Sequence, residues 1–464
     1  MSVHVDTGRN VKVIVADRKY DCEHLLGKFL DESHYDILVE EDADVYMPAI
    51  CDVAQQAACE SGRDCASCDK GTDELRIAFK FRKNYFSKEE QQMAYQGLRE
   101  AATRTENRGI ASGIKEGVQV DGEGREWVTN YQDEMCEALL ANRNASLDEV
   151  DVIDAIRAKY PTEEDKKRAG GQGKNNVWVI SRFRGKFDFE EWLDSIKPLN
   201  REERAASCEE VMKMMSLTTY GTAVNSGIAG WFDRYPRIPY GRATSYTANN
   251  FEKFKMAYPF LQSLARGFEQ LLPWRYGNQM REAKKVDPAY LVPGTPFTTI
   301  TVNKTFRTAA HFDAGDLHTG LSNLLVLSNN GNYSGGYLVA PEYRVAVNVR
   351  PGDLLLINNH EVLHGNTPIV LNDDEAERIS IVCYFREKMV ELGSKEYEDT
   401  RYEYVESRRL NPEHPEQRKL WNGISPGMWE DKEWYDYLEA KLGREELLKY
   451  HPQAGATNLD EFFA

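Results

Sequence analysis

The strongest constraint on the fold is a run of short strand-like segments between about residues 297 and 385. Each segment is rich in β-branched and aromatic residues and ends at Gly, Pro or Asn, the composition of strands separated by tight turns. The segments are FTTITVN, SNLLVLSN, GGYLVAP, YRVAVNV, GDLLLINN and RISIVCYF. So many short strands in so little sequence predict a β-sandwich or barrel-like fold.

The rest of the chain divides by pattern. Residues 1–160 mix short apolar runs with helix-like stretches and predict an α+β accessory region, and the charged, glycine-rich residues 161–176 predict a linker or mobile loop. Residues 177–395 combine helical patterns with the strand-rich core, placed at 293–390. Residues 396–464 predict a helical appendage, so the expected fold class is α+β.

Composition excludes several classes. The 464 residues carry a net charge of −17, which disfavours nonspecific coating of nucleic acid, because that binding depends on Lys and Arg. The sequence shows neither a transmembrane span nor the basic and apolar regions of a signal peptide. We therefore expect a cytoplasmic protein, with no membrane partner. Nothing in the sequence identifies a protein partner.

His311 and Asp313 are the first candidate metal ligands. They lie two positions apart, so on an extended backbone both side chains point to the same face. The pattern alone is weak, because His34 and Asp36 have the same spacing with nothing downstream to complete a site.

A second histidine strengthens the first pair. His364 follows about fifty residues later, beyond the Gly-Asp-initiated strand GDLLLINN. Two imidazoles and one carboxylate on one face of an octahedron leave positions open, an arrangement suited to non-heme Fe(II). His360 is the alternative third ligand, but it directly follows the strand, whereas His364 precedes a Gly-Asn turn.

The strand RISIVCYF carries the candidate anion-binding residue. Alternation predicts one face that packs into the core, formed by Ile379, Ile381, Cys383 and Phe385. The other face holds Arg378, Ser380, Val382, Tyr384 and Arg386. A guanidinium beside a hydroxyl is well matched to a carboxylate, whereas the competing interpretation is that Arg378 only caps an edge strand.

Together these motifs resemble the TET/JBP family of 2-oxoglutarate oxygenases, which oxidise the 5-methyl group of pyrimidines in DNA. The resemblance covers about residues 220–390. It includes YGRATSYT, LLPWRYGNQM, TVNKTFRTAAHFDAGDLHTG, GNYSGGYLVAPEYRVAVNVRPGDLLLINNHEVLHGNTPI and RISIVCYFRE. It implies a double-stranded β-helix core of the jelly-roll or cupin type with flanking helices.

The resemblance also implies roles for individual residues. Fe(II) would bind His311, Asp313 and His364, with dioxygen as co-reactant. The cosubstrate 2-oxoglutarate would bind Arg378 and Ser380, and Arg242 would reach its other end. Together His311, Asp313, His364 and Arg378 would form the catalytic set.

DNA is the substrate that the resemblance implies. A methyl group in a duplex must leave the base stack to reach a buried iron, so base flipping is expected, with Tyr384 stacking on the base. Arg386 and Asp316 would lie near the base edge, where eukaryotic TET enzymes carry a histidine and an asparagine. This departure leaves both 5-methylcytosine and thymine as candidates, giving 5-hydroxymethylcytosine or 5-hydroxymethyluracil.

Two further expectations concern metal and origin. Cys51, Cys59, Cys65 and Cys68 are crowded together and predict either a structural zinc site or reduced thiols. Family members occur in bacteriophages as well as eukaryotes, and the lack of a targeting sequence or chromatin-reading motif favours a phage-type member acting in a host cytoplasm.

Two other functions are alternatives to the oxidation of DNA. One is a same-fold hydroxylase of a protein side chain or small metabolite, and the other is a cupin-like binding module without catalysis.

Overall fold

A computed structural model gives the fold of the protein. It describes residues 8–48, 76–105, 108–113, 119–120, 126–127, 198, 203, 223–235, 238–313, 315–410, 430 and 432–455. The cysteine cluster and the predicted linker lie outside these residues. None of the helices in the described part has the length and apolar character needed to span a bilayer.

The described residues belong to two compact units. The first takes them from Met1–Gly113, Gly221–Phe232 and Ala243–Val390, and the second from Ile114–Tyr220, Asp233–Arg242 and Glu391–Ala464. The predicted divisions at residues 160, 176 and 395 stay predictions. Mixed helices and strands with a large sheet agree with the predicted α+β class.

The elements are, in chain order, β1 Lys12–Val15, β2 Ile37–Val39, β3 Ala43–Tyr46, β4 Ile77–Arg82, α1 Lys88–Leu98, β5 Thr103–Thr105, β6 Gln119–Val120, β7 Glu126–Trp127, β8 Val224–Phe232, β9 Arg242–Ala243, α2 Ser245–Asn249, α3 Phe251–Met256, α4 Tyr258–Leu271, α5 Pro273–Ala283, β10 Thr299–Lys304, β11 Ser322–Ser328, β12 Tyr333–Gly335, β13 Leu338–Ala340, β14 Val345–Val347, β15 Leu354–Ile357, β16 Gly365–Asn366, β17 Ile369–Leu371, β18 Arg378–Tyr384, α6 Lys395–Leu410, α7 Lys432–Leu442 and α8 Arg444–Tyr450. Short 3-10 turns occur at Glu23–Leu25, Glu32–His34, Arg99–Ala101, Gly109–Ser112, Pro288–Tyr290, Pro341–Tyr343, Glu387–Glu391 and Pro452–Gly455.

The main sheet of the first unit has the order β1-β3-β4-β15-β11-β18-β10-β8-β5. Strand β18 pairs antiparallel with both β10 and β11, so it lies inside the sheet. Its register sets Ser380 opposite Asn303 on β10 and opposite Val326 on β11. Pairing on both edges fixes the direction in which each β18 side chain points.

Residues before 113 supply strands to this same sheet. Strand β4 pairs with β15, where Phe81 lies opposite Leu355, and β5 pairs with β8, where Thr103 lies opposite Ser226. The region predicted from sequence as accessory is therefore, over its described residues, continuous with the sheet that carries the candidate site.

A smaller sheet with the order β16-β13-β14-β2 accompanies the main one. Side chains from both sheets form one buried hydrophobic cluster, which includes Val45, Phe79, Leu324, Val345 and Leu355. Burial of such side chains contributes roughly 1.5–3 kcal/mol each, so this cluster is a main source of the unit's stability.

Helix α4 shows how the predicted helices form. Phe260, Leu261, Leu264, Phe268 and Leu271 recur at helical spacing and are all buried. Helix α3 ends at Met256 and α4 begins at Tyr258, with a proline in the first turn of α4.

The described part of the second unit is mainly helical around Trp434, which is fully buried with Tyr397, Tyr404, Leu438 and Leu447. Gly443 has a φ of +91° and separates α7 from α8, because few other residues adopt that conformation. The buried Glu398 accepts hydrogen bonds from the backbone N–H of Gly241 at 2.7 Å and forms an ion pair with Arg234. These contacts satisfy a carboxylate that would otherwise be costly to bury.

Candidate active site

A backbone bridge brings the two predicted histidine ligands together. The N–H of His311 donates to the carbonyl of His364 at 2.9 Å, and the N–H of His364 donates to the carbonyl of His311 at 3.1 Å. Directly paired residues place their side chains side by side, and the two imidazole centroids are 4.4 Å apart.

Asp313 completes the cluster. Its Oδ1 lies 3.3 Å from His311 Nε2 and its Oδ2 lies 4.0 Å from His364 Nε2. One ligand atom from each of the three residues lies within 4.8 Å of the other two. This donor set fits a transition metal held on one face, with further positions open.

Hydrogen bonds orient all three side chains. Nδ1 of His311 lies 2.8 Å from the Ala309 carbonyl, and Nδ1 of His364 lies 3.0 Å from the Val362 carbonyl. A proton on each Nδ1 leaves Nε2 as the free ligand atom facing Asp313. Asn359 Nδ2 donates to Asp313 Oδ2 at 2.7 Å. Sequence reasoning missed Asn359, which follows the end of β15 by two residues.

The pKa values of the three residues favour the binding of a cation. Burial, together with the charge of His311, lowers the pKa of His364 to about 4, so this imidazole is neutral at physiological pH. Burial alone would raise the pKa of Asp313, but its hydrogen bond with His311 and the charges of both histidines hold that pKa well below its usual range. Burial is similarly outweighed at His311, whose pKa is raised by Asp313.

His360, the alternative third ligand, lies elsewhere. Its ring stacks on His318, with centroids 4.6 Å apart and planes inclined by 20°. Among the described residues, the metal-ligand cluster contains His364 and not His360.

Arg378 is buried with most of its hydrogen-bonding capacity unused. It is 2% exposed, and Nη2 donates to the Gly336 carbonyl at 3.2 Å. Nε and Nη1 have no hydrogen-bond partner in the described part of the chain. Gly336 has a φ of +68°, and a Cβ there would lie 3.1 Å from Arg378 Nε. A buried guanidinium with unused donors is costly by itself, so the arrangement fits an anionic ligand.

These groups line one cavity of about 290 Å³. Arg378, Ser380, Val382, Tyr384 and Arg386 all line it, as alternation along RISIVCYFR predicts. Ile379, Ile381 and Cys383, on the opposite face, are fully buried. The prediction of two distinct faces for this strand is confirmed.

Asp316 and Arg386 form a β-bridge and both line the cavity. Ser322 Oγ donates to Asp316 Oδ2 at 2.5 Å. Burial, with the charge of Asp313, raises the pKa of Asp316 to about 8, so this carboxyl keeps its proton at neutral pH. The Arg386 guanidinium lies 5.0 Å from the centre of the Phe232 ring. The Tyr384 hydroxyl lies 3.4 Å from Thr301 Oγ1.

Arg242 belongs to the second unit, where its guanidinium donates to the Asp233 carbonyl at 3.4 Å. Its role at the cosubstrate stays a prediction, as does the zinc site at Cys51, Cys59, Cys65 and Cys68, which lies outside the described residues.

Comparison with known proteins finds similarity over the segment that carries His311, Asp313, His364 and Arg378. Residues 229–387 match Tet_JBP, the oxygenase domain of the 2OGFeDO superfamily. The chain is 36% identical over 171 residues to "Thymine dioxygenase JBP1" of Trypanosoma brucei brucei, covering 36% of this chain and 20% of that protein. It is 33% identical over 175 residues to "Bifunctional helicase and thymine dioxygenase JBP2" of Leishmania tarentolae, covering 37% of this chain and 15% of that one.

A solved structure, "NgTET1 in complex with 5mC DNA", is 18% identical with a TM-score of 0.32, covering 40% of this chain and 69% of that chain. The alignments thus span only a fraction of the length of the two curated relatives.

Proposed function

We propose that this chain is a 2-oxoglutarate-dependent dioxygenase that hydroxylates the 5-methyl group of a pyrimidine in DNA. The match of residues 229–387 to the Tet_JBP oxygenase domain supports this proposal. The observation that carries the proposal is the shared cavity of a His-Asp-His cluster and a buried arginine with unused donors. The His-Asp-His cluster suits a metal ion, and the buried Arg378 suits a carboxylate.

The residues divide the work as follows. His311, Asp313 and His364 would hold Fe(II), with each imidazole fixed by its Nδ1 contact and the carboxylate fixed by Asn359. Arg378 and Ser380, which both line the cavity, would hold the distal carboxylate of 2-oxoglutarate. When bound, iron, 2-oxoglutarate and dioxygen supply the oxidation of a C–H bond. The chain positions the substrate and excludes water.

The cavity favours a flipped base. A space of about 290 Å³ is too small for a duplex, so the methyl group would enter on a base rotated out of the stack. Tyr384 would stack on that base, with Asp316 and Arg386 at its polar edge. The protonated carboxyl of Asp316 can donate as well as accept, which suits an edge that carries both kinds of group.

We also propose that the core is a double-stranded β-helix. Two sheets that share one hydrophobic cluster, of which Leu324 and Leu338 also line the cavity, support this topology. The jelly-roll arrangement would place the ligands between the sheets, where water is excluded.

The choice of base distinguishes two versions of the proposal. The curated relatives named above are thymine dioxygenases, which favours thymine and 5-hydroxymethyluracil. The alternative is 5-methylcytosine, with 5-hydroxymethylcytosine as product.

Mass spectrometry of digested DNA tests the function. Duplexes with thymine and with 5-methylcytosine are incubated with the full chain, Fe(II), ascorbate and 2-oxoglutarate. We expect one hydroxymethylated base together with succinate. Succinate formed only with a protein or small-molecule substrate, while neither base changes, would replace the proposal by the same-fold hydroxylase.

A further inference from the structure

Arg108 lines the candidate cavity but comes from outside the segment that matches the oxygenase family. The match begins at residue 229, whereas Arg108 precedes the 3-10 turn Gly109–Ser112. Its Nη2 donates to the Gly227 carbonyl on β8 at 3.0 Å, and the Ala111 carbonyl accepts from the N–H of Ala309, two residues before His311. This segment therefore forms a wall of the site.

The guanidinium of Arg108 has a buried N–H group that donates no hydrogen bond to the described residues. Arg108 Nε is buried and has no hydrogen-bond partner in the part of the chain that the structure describes. Burial lowers the pKa of Arg108, and the groups that act on it in the opposite direction are Tyr384 and Asp313. A buried N–H without an acceptor costs free energy, so a ligand that supplies the acceptor would remove this cost.

Arg108 lines the same cavity as Tyr384, the residue proposed to stack on the base. The Gly227 carbonyl that accepts from Arg108 belongs to β8, whereas the Gly336 carbonyl that accepts from Arg378 follows β12, so the two arginines are held by different elements. The Nε atom of Arg108 is buried. An acceptor on a base that enters the cavity can therefore reach it more readily than a phosphate that stays outside the cavity.

We propose that Arg108 is a substrate-binding residue that donates a hydrogen bond to a ring carbonyl oxygen of the flipped pyrimidine. The inference rests on the proposed function and adds a contact made by the N-terminal region. Both candidate bases carry a carbonyl at position 2, and thymine carries another at position 4. A charge-assisted hydrogen bond of this kind corresponds to roughly a 10- to 100-fold effect on kcat/KM.

The test combines Arg108→Met and Arg108→Lys with DNA in which sulfur replaces oxygen at position 2 or, for thymine, position 4. Sulfur is the weaker acceptor, so one thio base should lower kcat/KM of the wild type about tenfold and have little effect on Arg108→Met. Arg108→Lys should recover part of the loss. The KM for 2-oxoglutarate should stay unchanged in both variants, which shows that the cavity remains folded.

Arg307→Met is the matched control. Arg307 is also part-buried and donates to backbone carbonyls, of Leu30 at 2.6 Å and Asn366 at 3.3 Å, but it does not line the cavity. It should keep the wild-type response to the thio bases.

Two outcomes would overturn the proposal. Additive losses from Arg108→Met and every thio base would show that no carbonyl is contacted. A loss that disappears only when a neighbouring phosphate is replaced by methylphosphonate would assign Arg108 to the DNA backbone. Both outcomes require that the wild type oxidises the base, so they differ from failure of the proposed function.

Discussion

Within the described residues, two His-x-Asp segments, His34–Asp36 and His311–Asp313, share the same spacing but differ in their surroundings. His34 Nδ1 lies 2.8 Å from Asp31 Oδ1 in a helix cap, and Asp36 forms an exposed ion pair with Arg344 at 2.6 Å. His311 and Asp313 instead meet His364 across a backbone bridge. The comparison shows that the His-x-Asp spacing provides only two of the three candidate ligands. The third, His364, comes from a distant part of the chain that pairs with His311 in the folded unit.

The first prediction should have the largest effect. His311→Ala or Asp313→Ala should abolish succinate formation without unfolding the unit, because each removes a proposed iron ligand. His34→Ala and Asp36→Asn should retain full turnover. Succinate release and circular dichroism on the four variants check this, and unchanged turnover in His311→Ala and Asp313→Ala would refute the ligand assignment.

A second prediction extends the comparison to two buried arginines. Arg82 is fully buried and donates to Asp44 Oδ1 at 2.8 Å and to the Phe81 carbonyl at 2.8 Å, so its role is structural. Arg82→Met should lower the free energy of unfolding by about 1.5–3 kcal/mol, because the buried Asp44 carboxylate loses one of its two cationic partners and keeps only Lys80, at 3.0 Å.

Arg378→Met should instead raise the KM for 2-oxoglutarate roughly 10- to 100-fold, because its unused donors are proposed to bind that carboxylate. The free energy of unfolding should not fall. Urea denaturation and 2-oxoglutarate titration of both variants separate the roles. A stability loss at Arg378→Met equal to that at Arg82→Met, with unchanged KM, would make Arg378 structural.

A third prediction concerns what fixes the ligands. Asn359→Ala removes the hydrogen bond to Asp313 Oδ2 and should weaken Fe(II) binding about 10- to 100-fold. Asn348→Ala is a suitable control, since Asn348 donates to the exposed Glu40 at 3.0 Å. Anaerobic iron titration measures both, and equal affinities would remove Asn359 from the site.

The smallest expected effect is a contrast in pH dependence between two aspartates. Burial raises the pKa of Asp316 to about 8. Between about pH 4 and about pH 8, the Asp316 carboxyl is therefore protonated in the folded chain and ionised in the unfolded chain. The free energy of unfolding should therefore fall as pH rises from about 4 to about 8. Asp316→Asn should remove this contribution.

Asp36 should behave in the opposite sense, because its hydrogen bonds with Arg344 lower its pKa. Its contribution is lost only as pH falls below the usual carboxyl range, so Asp36→Asn should leave the slope between about pH 5 and about pH 8 unchanged. Urea denaturation of the metal-free protein across this range measures both slopes. Identical slopes for wild type and Asp316→Asn would contradict the assigned protonation of Asp316.

Local patterns predicted part of this structure. Alternation along β18 placed Arg378, Ser380 and Tyr384 on one face, since a strand has a fixed period of two. The approach of His364 rather than His360 to Asp313 also follows the prediction.

Long-range pairing could not be predicted in the same way. Strand β4 pairs with β15 through Phe81 and Leu355, which are far apart in the chain, and no local signal encodes this contact. Arg108 and Asn359 were missed for the same reason, because the positions of both at the site depend on elements that meet only in the folded unit.

The most direct test of the account measures hydroxymethylpyrimidine and succinate in the same reactions for wild type, His34→Ala and His364→Ala. The account predicts that wild type and His34→Ala form the two products in equal amounts and that His364→Ala forms neither. Products from His364→Ala at the wild-type rate, or succinate without any modified base in the wild type, would contradict it.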